Sequence, residues 1–137
     1  MDPHLPLKRK QIQMSEKYRD KKPSRVKDVA WIYAVNCGNY PIDTINSGKY
    51  MLFIGTSQID AIWSLVKNAT ISGLLGDASK VSTYSQRKRK YSQQHVICVY
   101  TYDCHDWIDR QRIEQYLTIL GLHNFIYKTN SKTLEKS

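Results

Sequence analysis

The chain has 137 residues, enough for one domain with a substantial core, and its 41% hydrophobic share is ordinary for a globular protein. No stretch reaches the ~18 consecutive apolar residues that a membrane span requires, and no apolar segment follows the charged N-terminus as a secretory signal would; the expectation is therefore no membrane and a cytoplasmic protein, with the nucleus as the alternative. A net charge of +9 favours a polyanionic partner, and three cysteines (Cys37, Cys98, Cys104) at unpatterned spacing argue against both a disulfide framework and a structural zinc site, so no metal and no cofactor are expected.

Residues 1–28 hold nine Lys or Arg against four acids, three prolines and no sustained apolar face. They read as a basic, mostly disordered arm, within which 11–20 could form a short helix on a partner. A single domain follows over 29–130, then a polar tail over 131–137. The run Val29 to Val35 reads as the first strand, and Asn36 to Ser47, with Gly38, Asn39, Pro41 and Asn46, as a loop. Lys49 to Ile54 is the second strand. Thr56 or Ser57 then caps a helix, with Asp60 placed three after Ser57 as in a capping box. Ile59, Ile62, Trp63 and Val66 form its apolar stripe, and Gly73 ends it.

Lys80 to Ser85 and Gln94 to Thr101 read as antiparallel neighbours joined by a basic loop, Arg87, Lys88, Arg89 and Lys90. Asp103 to Asp106 offers capping for a second helix with Ile113, Tyr116, Leu117 and Leu120 on its apolar face, and Gly121 stops it. Asn124 to Lys128 forms the last strand. The pattern is α+β, a curved and mostly antiparallel sheet with two helices on one face. The other face is left for solvent or a ligand.

Alternation along the strands puts Lys80 with Ser82, Lys49 with Met51 and Phe53, and Lys128 with Asn130. If these faces coincide, lysines from three strands gather on the uncovered side, where they suit phosphate. Ser82 and Thr83 would add hydrogen bonds, the Arg87–Lys90 run would add long-range attraction, and Trp31 and Tyr84 are candidate stacking rings. The leading function is a binding module for RNA or a phosphorylated ligand. One alternative is an enzyme acting on a phosphorylated protein or nucleotide, with Lys80 as base and His95 or Tyr84 as acid. Another is an adaptor that takes a protein partner.

The segments GKYMLFI, DAIWSLV, GLLGDASKVST and HVICVYT, followed by D..D..R....L..LG, resemble the basophilic leukemia-expressed protein family, whose fold is similar to that of translation initiation factor 4E. Trp31-Ile32 matches a tryptophan-isoleucine pair near that family's domain start. The resemblance covers about 30–129 and implies the same sheet-and-helix architecture. The stretch LGLHNFIYKTNSKT also resembles the end of the initiation factor itself. That factor holds a methylated guanine between two loop tryptophans with a glutamate on the base edge, and this chain has neither a tryptophan in 36–47 nor a Trp-Glu pair. The resemblance thus implies the fold without that mode of cap binding. A fainter similarity to phosphothreonine lyases matches Lys49 and Lys80 to phosphate-site lysines, while Met51 stands where the lyases carry a catalytic histidine.

Overall fold

The computed structural model describes residues 12–36, 38, 45–85 and 94–129. A short helix over 12–17 (α1) leads through 18–30 into β1 (Trp31–Val35). Then come β2 (Gly48–Gly55), α2 (Thr56–Ile71), β3 (Ala78–Ser82), β4 (Gln94–Thr101), α3 (Trp107–Ile119) and β5 (Phe125–Thr129). The five strands form one sheet in the order β1-β3-β4-β2-β5, with every neighbouring pair antiparallel.

This order decides which face is covered. β2 and β3 both run antiparallel to the β4 between them, so they point the same way and need a crossover, which α2 supplies. By the same reasoning β4 and β5 flank β2 and are joined through α3. The two crossovers move in opposite directions across the sheet from strands that point in opposite directions. A half-turn about the sheet normal interchanges them, so a common handedness puts both helices on one face.

Packing agrees. Ile32, Ala34, Tyr50, Leu52, Val81, Ile97 and Val99 share one side of the sheet and form a continuous core with Ile59, Trp63 and Val66 of α2 and Ile113 and Leu117 of α3. The expected stripe of α2 is the buried one, with Ile62 partly buried beside it. Both helices end at a glycine in the left-handed region, Gly73 (φ 82°) and Gly121 (φ 84°), which a side chain at either position would resist. Arg110 fixes α3 over the β2–β5 pair. Its guanidinium lies 3.8 Å from the centre of the Tyr127 ring and 5.3 Å from that of Trp107, and its Nε donates to Tyr50 at 3.4 Å.

Two local expectations need correction. α2 takes Gly55 as its N-cap, and Asp60 does not close a capping box. Instead Asp60 accepts from the backbone N–H of Ser24 at 3.0 Å and from its hydroxyl at 2.6 Å. That bond belongs to the second correction. The part of the basic arm over 12–28 packs on the domain, with Tyr18 and Val26 buried in the common core, Met14 against it, and Lys67 donating to the Arg19 carbonyl at 2.6 Å. Composition concealed this because its apolar residues are few and widely spaced among cations. Residues 1–11, the Arg87–Lys90 run and the tail over 131–137 lie outside the described residues.

Candidate functional site on the helix-free sheet face

No described helix lies over the second face of the sheet. Register places every residue on it. Val35, Ala78, Tyr100, Lys49 and Lys128 form one row across the five strands. Tyr33, Lys80, Cys98, Met51 and Ile126 form the next, and Trp31, Ser82, Val96 and Phe53 the third. Lys49 and Lys128 are direct cross-strand partners. Lys80 stands across Cys98 from Met51, one row along, close enough to feel the charge of Lys49. Three ammonium groups therefore share this face.

Nothing on the strands balances them. None of the five strands contains Asp or Glu. Burial raises the phenol pKa of Tyr33 and of Tyr100, the latter further through Cys98, Tyr33 and Asp77, so both rings stay neutral at neutral pH. Burial also raises the thiol of Cys98, against a downward pull from Lys80 and Lys49. The Lys80 amine is held below the usual lysine range, first by desolvation and then by the Lys49 charge, with Cys98 opposing. Its compensation is aromatic: the Lys80 Nζ sits 4.1 Å from the centre of the Trp31 ring and 5.8 Å from that of Tyr100.

The remaining candidates separate from this cluster. Ser82 is buried on the same face, but its hydroxyl accepts from the Val96 N–H at 2.9 Å. Thr83 is fully buried and its hydroxyl donates to the Val29 carbonyl. The first ties β4 to β3, and the second ties the residue after β3 to the segment leading into β1. Tyr84 follows the end of β3; its N–H donates to the Pro23 carbonyl at 2.9 Å and Lys27 lies 5.5 Å from its ring, so it belongs with the N-terminal segment. Trp31 reaches the face, but Lys80 covers its ring there. His95, an acid candidate for the enzymatic alternative, is buried on the helix side, with Nδ1 2.8 Å from the Ser82 carbonyl oxygen. Arg87, Lys88, Arg89 and Lys90 are outside the described residues.

Alternation puts Phe53 on this face with Lys49, but two features come only with the structure: how far its apolar side chains are exposed, and which rings stand beside Lys80. Phe53 and Ile126 are large apolar side chains about half exposed, at 50% and 55%, beside the partly exposed Met51. Tyr100 and Tyr33 flank Lys80, where alternation on β1 and β4 alone could have placed them. Elsewhere, donor atoms of Asp103, Cys104 and His105 lie within 4.8 Å of one another in the turn before α3. They are the metal-capable group found among the described residues. Asp103 already accepts from the His105 N–H at 2.9 Å.

Comparison with known proteins supports this architecture. The family description Basophilic leukemia-expressed protein Bles03 matches residues 8–132. No curated protein shows significant sequence similarity to the chain. Among solved structures, the C. elegans eIF4E-3 chain, in complex with the 4E-binding protein Mextli and a cap analog, superimposes with a TM-score of 0.62 at 13% identity, covering 90% of this chain and 76% of that one. The Ascaris suum eIF4E-3 chain, in complex with an m2,2,7G cap, gives a TM-score of 0.52 at 13% identity, covering 76% of this chain and 62% of that one. At such identity the likeness is one of fold.

Proposed function

For a chain that belongs to the Bles03 family and has an eIF4E-like fold, we propose that the helix-free face binds a phosphate-bearing ligand, RNA or another phosphorylated molecule. The observation behind this reading is the gathering of Lys49, Lys80 and Lys128 on a sheet face whose strands contain no carboxylate. Like charges directly opposite on a sheet cost roughly 0.2–1 kcal/mol, and a bound phosphate converts that cost into attraction. Lys49 and Lys128 would grip the anion. Lys80, already desolvated between Trp31 and Tyr100, would add a third contact. The excess charge of the chain would add salt-sensitive attraction. The two eIF4E-3 structures, which hold a cap analog and an m2,2,7G cap, support a ligand-binding role at this coarse level.

The test is a fluorescence-anisotropy titration with a single-stranded RNA oligonucleotide at two ionic strengths, using the full chain and the variants Lys49→Gln, Lys80→Gln and Lys128→Gln. Affinity should fall steeply with salt, and each variant should weaken binding and flatten the slope by about one phosphate contact. Inorganic phosphate should shift the resonances of the three lysines. A flat salt response together with unmoved lysine resonances would overturn the reading.

One observation favours a second surface, for a protein partner. Trp107 and Ile108 at the start of α3 are exposed at 61% and 82%, and the C. elegans relative is held by a 4E-binding protein. Of the enzymatic alternative, Lys80 keeps the lowered pKa of a base, while His95 and Tyr84 are displaced from it.

A further inference from the structure

The β2–β5 half of the helix-free face has a chemical order along the strands. Lys49 and Lys128 stand side by side, Met51 and Ile126 stand side by side in the next row, and Phe53 follows in the third. Phe53 and Ile126 keep half of their surface in water, an expense that a sheet face without a ligand gains nothing from. The spacing is that of a strand: about 6.6 Å from the lysines to Met51 and Ile126, and about 13 Å to Phe53.

An extended polypeptide presents same-side residues with the same repeat. A phosphorylated side chain has a charge of about −1.5 to −2 at pH 7, a match for two ammonium groups, whereas each internal phosphate of RNA has one. Bases are poorly served by the apolar rows, which offer no donor or acceptor and, before Phe53, no ring. Apolar side chains are well served by them.

We propose that this strip docks an extended phosphopeptide, with phosphoserine or phosphothreonine between Lys49 and Lys128 and apolar side chains two and four residues away, over Met51 and Ile126 and then Phe53. The proposal rests on the phosphate-binding reading of the same face and narrows its ligand. Charge complementarity fixes one end of the peptide and the matching repeat fixes the other. The direction in which the chain lies is left to the experiment.

Labelled peptides with phosphothreonine and leucines at the second and fourth following residues, or at the second and fourth preceding ones, are titrated against the full chain by fluorescence anisotropy. Controls lack the phosphate or have both leucines replaced by serine, and a 5′-phosphorylated RNA oligonucleotide is titrated in parallel. One of the two orders should bind at least ~10-fold more tightly than either control, in keeping with the loss of a charge-assisted contact. Lys49→Gln and Lys128→Gln should each remove the preference for phosphate, and Phe53→Ser the preference for leucine, with every variant still unfolding cooperatively and neither lysine variant melting below the parent chain. Binding of the RNA with no preference among the peptides would overturn this inference and leave the phosphate-binding reading standing. Phosphate preference with indifference to the leucines would also overturn it. Failure of both peptides and RNA would overturn the two together.

Discussion

The two faces of the sheet use the same strands to opposite ends. On the helix side polar groups are few and most are engaged: Thr70 and Ser79 share a hydrogen bond at 2.7 Å, Tyr50 donates to Glu114 at 2.7 Å, and Thr101 meets the Tyr127 hydroxyl at 2.7 Å, while Trp63 Nε1 and His95 Nε2 are buried without a partner. On the other side three cations stand without a strand carboxylate, and apolar side chains stay half in water. One face is arranged for stability, and the second retains surface that a partner would improve. The topology separates the two tasks, since both crossovers pass over the same side.

The sharpest way to break the contrast is to delete from the covered face. Trp63→Ala, at a side chain only 1% exposed, should cost about 3–5 kcal/mol in a denaturant titration. A loss below ~1 kcal/mol would show that this side is not the stabilising one. Val26→Ala asks whether the N-terminal segment belongs to the same core. At ~0.8 kcal/mol for each buried methylene it should cost about 1.5 kcal/mol, and no change would detach 12–28 from the fold. Lys128→Gln should move stability the other way, by a gain of up to ~1 kcal/mol as the repulsion with Lys49 is lifted, while anion binding weakens. A destabilisation there would erase the contrast.

The smallest effect concerns protonation. Because the folded pKa of Lys80 lies below its unfolded value, the unfolded chain holds the extra proton in the interval between them, and stability should rise as pH climbs through that interval. NMR titration of the lysine side-chain resonances should find Lys80 below the ordinary value near ~10.4, and added phosphate should bring it upward. A titration at or above the ordinary value, unmoved by phosphate, would contradict the environment described for it.

Much of this was legible in the residues, for identifiable reasons. Helices α2 and α3 announce themselves through the Ile59–Trp63–Val66 and Ile113–Leu117 spacings and through Gly73 and Gly121. The common face of Lys49, Lys80 and Lys128 follows from alternation once the strands are aligned. Alignment itself is not local: that Lys49 faces Lys128, and that Lys80 lies a row away, depends on β4 and β5 flanking β2. The roles of Ser82 and Thr83 were equally hidden, because a hydroxyl that ties two backbone segments has the same sequence signature as one that meets a ligand. Asp60 shows the limit of a short motif. Its spacing from Ser57 suits a cap, yet the fold gives it Ser24, 36 residues away in sequence.

The seating of Tyr18 and Val26 beneath the sheet has a practical corollary for anyone handling the protein. A shortened chain begun at residue 29, where composition changes from basic to apolar, would strip the Asp60 carboxylate of Ser24 and open a greasy seam along α2. Such a fragment should be prone to aggregation, whereas one begun ahead of the helix over 12–17 would keep that seam closed.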